Sequence, residues 1–176
     1  MKTTVVAVLL AGSLVLGTGI VFASKVKPLG IDTIRGKSPQ DAAAAALVEA
    51  ERLAGTGTWE LLGVARVYYL SGNKSKGQEL IDRVLAHKSD RSDWQRIGQI
   101  YADAGENDKA EQFFTRALAA DAKDDTGEAE IGAWYIRIGQ REKGEALLAQ
   151  AFARNPEEVW HYLNAAEGFL HVPPGK

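Results

Sequence analysis

The stretch Trp94-Gln95-Arg96-Ile97-Gly98-Gln99-Ile100-Tyr101-Ala102-Asp103-Ala104-Gly105 runs into Glu106-Asn107-Asp108-Lys109-Ala110-Glu111-Gln112-Phe113-Phe114-Thr115-Arg116-Ala117. Before Gly105, the apolar or small residues Ile97, Gly98, Tyr101 and Ala104 fall at helical spacing; after it, Ala110, Phe113, Phe114 and Ala117 do the same. Such spacing puts residues on one face of an α-helix. Gly105 reads as the stop between two helices, because a positive φ just past a helix end is cheapest for glycine. The stretch therefore predicts two amphipathic helices joined by a tight turn.

Working outward, the same pattern returns on both sides. Gly72, Gly105 and Gly139 are spaced 33 and 34 residues apart. Eight residues before each glycine stand Val64, Ile97 and Ile131; seven before, Ala65, Gly98 and Gly132; four before, Tyr68, Tyr101 and Tyr135. Five after stand Gly77, Ala110 and Gly144; nine after, Ile81, Phe114 and Leu148; twelve after, Val84, Ala117 and Ala151. Small residues at the minus-seven and plus-five offsets let two helices approach closely. The tyrosines and the large apolar residues fill the space between helices and neighbouring repeats. Asn73 and Asn107 stand where the second helices would be capped.

Trp94, Ile97, Gly98, Tyr101, Gly105, Ala110, Phe114 and Ala117 together closely resemble the tetratricopeptide repeat signature, and Pro156 stands where that family often carries proline. The repeats run at about 58–90, 91–124 and 125–158, with Leu61 and Glu128 departing from the tryptophan at Trp94. The implied fold is all-α: a right-handed α-solenoid of about three helix hairpins, with a preceding helix and a C-terminal capping helix. In the same register Ala43, Leu47 and Ala50 mark the preceding helix, near 39–54, as the second half of an incomplete repeat. Ser38-Pro39 reads as its cap and first residue. At the other end Ala165, Ala166 and Phe169 mark a first helix. Asn155-Pro156-Glu157-Glu158 reads as its start, predicting a helix over Pro156–His171 that caps the stack. Half-repeats at the two ends are expected to cover apolar faces of the stacked repeats.

Composition narrows the chemistry. With 21 Lys and Arg against 23 Asp and Glu, interspersed along the chain, the net charge is −2 and no basic field attracts nucleic acid. The absence of cysteine excludes disulfides, thiolate metal sites and cysteine nucleophiles. His87, His161 and His171 have no two-histidine metal spacing, and no phosphate loop or nucleophile elbow occurs. Adjacent acids such as Asp124-Asp125 and Glu157-Glu158 sit at helix starts, where carboxylates complement the helix dipole. The expectation is a non-enzymatic chain with no catalytic residues, metal or cofactor.

The first residues differ from the rest. Lys2 precedes an uncharged, apolar stretch from Thr3 to Ser24. This reads either as a secretory signal peptide cleaved after Ala23 or as an uncleaved transmembrane anchor, since roughly 19 apolar residues can span a bilayer. Ser13 stands where a lipobox would need cysteine, so no lipid is attached there. The organisation expected is 1–24 signal or anchor, 25–37 linker, 38–171 repeat domain and 172–176 tail. The expected location is the periplasm, or the inner membrane facing it.

The resemblance also implies a working surface. In this family the first helices of successive repeats line a concave groove that binds a peptide or partner helix. The corresponding positions hold Arg66 and Tyr69, then Gln95, Arg96, Gln99 and Asp103, then Glu130 and Arg137, with Asn164 and Glu167 on the terminal helix. Arginine forks suit carboxylates, and glutamines suit an extended backbone. The family's clamp for a cytosolic chaperone tail needs lysine, asparagine and arginine at positions that here hold Leu62, Arg66, Arg96, Thr126 and Glu130, so that ligand is not expected. The expected function is a protein–protein interaction scaffold at the cell envelope. The alternative is a small structural subunit or assembly factor of a membrane complex, held by an uncleaved N-terminal helix. In either case the expected partner is a protein or peptide.

Overall fold

The computed structural model describes residues 30–87 and 89–173. The predicted export segment, the first part of the predicted linker and the last three residues of the predicted tail lie outside the described residues. None of the described helices is long and apolar enough to cross a membrane.

A 3-10 turn at Ile31–Thr33 precedes eight α-helices, and the described residues contain no strand. They are α1 (Pro39–Ala54), α2 (Thr58–Leu70), α3 (Lys74–Ala86), α4 (Arg91–Asp103), α5 (Asn107–Ala120), α6 (Asp125–Arg137), α7 (Arg141–Arg154) and α8 (Val159–Leu170). α2 pairs with α3, α4 with α5 and α6 with α7; α1 lies on α2, and α8 lies on α6. The expected order of hairpins is thus present. The first helices α2, α4, α6 and α8 contact one another in succession, whereas α3, α5 and α7 do not approach one another to the same degree. Helices that come closer lie on the inner side of a bend, so the row of first helices forms the inner face.

Local chemistry sets the hairpin turns. Gly72, Gly105 and Gly139 have φ of 100°, 73° and 87°. After α4, the Gly105 amide donates to Ala102 O and the Glu106 amide to Tyr101 O, at 3.0 and 2.8 Å. After α6, Gly139 and Gln140 repeat both bonds at the same distances. This is the Schellman closure, which satisfies carbonyls that a helix end leaves open. Helix starts are closed by side chains: Ser38 accepts from the Asp41 amide, Asn73 from Lys76 and Asp124 from Gly127. Asp90 and Asp93 form a reciprocal capping box on α4.

Two expected caps are corrected. Asn107 is the first residue of α5, not its cap; the cap position is Glu106, and Asn107 instead reaches Ile138 O at 3.5 Å. The chain enters α5 directly from the Schellman turn, which already consumes the Glu106 amide. Asn155 does not start α8 either. Its amide donates to Ala151 O at the end of α7, and the Glu158 amide reaches back to Asn155 O at 3.4 Å. Pro156 therefore sits second in a turn, where its fixed φ also fits. α8 begins at Val159, capped by Glu158, which accepts from the Trp160 amide.

The small offset residues act as expected. A Cβ on Gly144 would stand 2.6 Å from Ile136 Cγ1 and 3.0 Å from Ile136 N; one on Gly77 would stand 2.9 Å from Ala65 O. Between the hairpins lies an apolar core that includes Leu61, Leu80, Ile97, Phe114, Ile131 and Tyr135. α8 closes instead onto a second, smaller cluster of Ala129, Ile136, Leu148 and Ala151 through Ala165, and buries His161 and Gly168. A Cβ on Gly168 would lie 2.9 Å from Ala133 Cα, so glycine lets α8 and α6 touch backbone to backbone. α8 therefore covers α6, but its own outer side is apolar: Val159, Trp160, Leu163, Phe169 and Leu170 are all exposed.

Candidate partner-binding face

The row of first helices brings six of the eight sequence-predicted residues together. The Arg66 guanidinium on α2 donates to Asp103 Oδ2 on α4 through Nε at 3.1 Å and Nη2 at 2.8 Å. The other oxygen of Asp103 lies 3.9 Å from Arg137 Nη2 on α6. One carboxylate thus ties three hairpins. A turn toward the helix N-termini, Gln99 Nε2 on α4 donates to Glu130 Oε1 on α6 at 2.8 Å. Arg96 stands over Trp59, with its Cζ 3.2 Å from the ring centroid. Arg137 packs over Trp134 at 4.1 Å. Each contact links one first helix to another or braces an arginine on an aromatic face, which holds long side chains in defined positions.

The other two predicted residues lie beneath this face. Tyr69 is 3 % exposed and Gln95 6 %. Tyr69 and Gln95 share the side of α2 and α4 that turns toward their own second helices, alongside the buried Leu62, Ala65 and Gly98. The Tyr69 hydroxyl still reaches a polar group, donating to Glu106 at 2.9 Å. Of the secondary candidates on α8, Asn164 and Glu167 are half-buried.

Two surface residues of this row escaped the sequence reading. Trp59 and Trp160 are 61 % and 57 % exposed. Each is the second residue of a first helix, α2 and α8. The signal was available: both tryptophans are large apolar residues at the same register of a first helix.

Three arginines, Arg66, Arg96 and Arg137, stand among the carboxylates of Asp103 and Glu130, and Glu60 and Asp93 are also close enough to act on Arg96. Burial and then the neighbouring Arg66 charge pull the Arg96 pKa below the ordinary arginine value. Among the described residues Arg96 has no carboxylate within ion-pair distance. Arg66 spends two of its donors on Asp103 and keeps others for a ligand. An incoming carboxylate would therefore relieve repulsion between cations. Beside this face, Glu106 is held at a pKa of about 2 by hydrogen bonds from Lys109, Lys74 and the Tyr69 hydroxyl. A surface depression lies elsewhere, along α3 between Ser75 and Ala86, and gathers none of these groups.

Residues 94–124, which span most of α4, all of α5 and the turn after it, match the family described as Tetratricopeptide repeat. No curated protein and no solved structure matches the chain.

Proposed function

We propose that the chain, which carries a tetratricopeptide repeat over residues 94–124, binds an extended peptide or helix of a partner protein along the row α2, α4, α6 and α8. The observation that carries this reading is the ladder of Arg66, Asp103, Arg137, Arg96, Gln99 and Glu130, braced across repeats on the inner side of the bend. Preorganised polar groups bind with less ordering entropy than free side chains. Arg96, which has no ion pair among the described residues, and the spare donors of Arg66 favour a partner segment that carries carboxylates, met by forked hydrogen bonds. Trp59, beneath Arg96 on α2, and Trp160 on α8 are exposed on the first and last helices of the row and offer apolar contact to such a segment. The apolar stretch Thr3–Ser24 supports a site of action at the cell envelope.

The test is capture of partners from solubilised membranes by the full chain and by a triple variant, Arg66→Ala, Arg96→Ala, Gln99→Ala. Charge-assisted hydrogen bonds contribute about 1.5–3 kcal/mol each. Loss of the two arginines is therefore expected to lower affinity by at least an order of magnitude. Helical circular dichroism should be unchanged, since none of the three side chains is in the apolar core. Undiminished capture by the triple variant would remove this face from the function.

A further inference from the structure

Each intact hairpin is closed by two mating surfaces. The first helix offers the side carrying Leu62, Ala65 and Tyr69 in α2, Gln95 and Gly98 in α4, and Ala129, Gly132 and Ile136 in α6, and all of these are buried. The second helix offers Gly77, Leu80 and Ile81 in α3, Ala110 and Phe114 in α5, and Gly144 and Leu148 in α7, again buried. At the two ends of the described stack, each surface occurs once without its mate. On α8 the first-helix surface is Leu163, Ala166 and Leu170, all exposed, with Leu170 at 72 % the most exposed large apolar residue among the described residues. On α1 the second-helix surface is Ala43, Ala46 and Leu47; both alanines are exposed and Leu47 is half-buried.

We infer that the chain associates with a second copy of itself head to tail, α8 of one copy pairing with α1 of the next to complete a hairpin between chains. The occupant follows from continuity with an interface that the chain already makes three times. α8 extends the row of first helices, and α1 begins the row of second helices. A second copy seated on α8 continues both rows in the same register. In that register Ala166 faces Ala43, Ala46 and Leu47, as Gly132 faces Gly144, Leu147 and Leu148 within the chain. Small residues meet small residues, so the helix backbones close to hairpin distance. Leu170 takes the place of Ile136, packing over Ala43 as Ile136 packs over Gly144. The contact is heterologous, so it propagates rather than closing as a two-fold dimer.

A head-to-tail contact between separate chains grows with concentration. It does not use Arg66, Arg96 or Asp103, so it stands apart from the proposed partner-binding face.

The chain has no cysteine, which makes thiol crosslinking clean. Ala43→Cys and Ala166→Cys are introduced separately into the full chain and oxidised alone and mixed. The mixture is expected to give a crosslinked dimer several-fold in excess of either variant alone, and the double variant a ladder of higher species. Adding Leu170→Glu to the mixture should abolish the excess, with circular dichroism confirming that the helices persist. A dimer from Ala166→Cys alone that matches the mixture would mean two α8 helices pair face to face and would overturn the inference. Equal crosslinking with and without Leu170→Glu, or no crosslink at millimolar protein, would overturn it as well.

Discussion

Gly144 and Gly63 are both helical glycines, yet a methyl group at each has opposite consequences. At Gly144 it would press on Ile136 and on the backbone of Gly132, while at Gly63 it would meet nothing within 4 Å. Alanine gains about 1 kcal/mol of helix propensity over glycine. Overpacking costs about 1–3 kcal/mol. Gly144→Ala should therefore destabilise by ~1–2 kcal/mol and Gly63→Ala stabilise by up to ~1 kcal/mol, read as opposite shifts of the thermal midpoint. Glu106 supplies a pH-dependent term. Its folded pKa of about 2 lies below the ordinary 4.5, so its contribution is complete above pH 4.5 and is lost as the pH falls toward 2. The group is near the surface, so solvent screening keeps the effect to about 1 kcal/mol. Urea unfolding of Glu106→Gln should show that deficit at pH 7, narrowing steadily between pH 4.5 and 2.

At the scale of the element, α1 and α4 differ in what holds them. α1 has no buried residue, whereas α4 buries Ile97, Gly98, Ile100 and Tyr101. An isolated helix of that length is marginal in water, and packing supplies most of its stability. Amide exchange should therefore be fastest in α1 among the helices and slowest in α4 and α6. α8 depends on one close contact. Gly168→Leu would force it from Ala133 and is expected to raise exchange in α8 and bare the α6 surface to a hydrophobic dye, with α2–α5 little changed. The capping motifs were legible one element at a time where the signal was purely local, as at Ser38 and Asn73. Asn155 was misread because an Asn-Pro pair suits a turn as well as a helix start. The carbonyl of Asn155 chose the turn through Glu158.

For the whole molecule, contact runs between adjacent hairpins. α2 meets α4 and α4 meets α6, while α2 and α6 form no comparable contact. Stability in such a stack is close to a sum of repeat and neighbour terms. Leu80→Ala, at a fully buried site in the first hairpin, should cost about 2–5 kcal/mol locally. Amide protection in α6 to α8 should change far less than in α2 and α3; uniform loss across all helices would show a single cooperative unit instead.

Hairpin order, turn glycines and small contact residues could be read from sequence because each is written in consecutive residues with a helical period. A repeat of 33 or 34 residues restates the same apolar stripe and the same positive-φ glycine, and backbone sterics leave little choice. What only the tertiary structure decided is which polar candidates reach the surface. Tyr69 and Gln95 were drawn under it, Arg96 came to rest on Trp59, and Asp103 was shared between Arg66 and Arg137. The polar links depend on the rotation between one hairpin and the next, which joins residues more than thirty positions apart, whereas Tyr69 and Gln95 went under because they face their own second helices. The same rotation determined that α8 would bury His161 and Gly168 and leave Leu170 facing water.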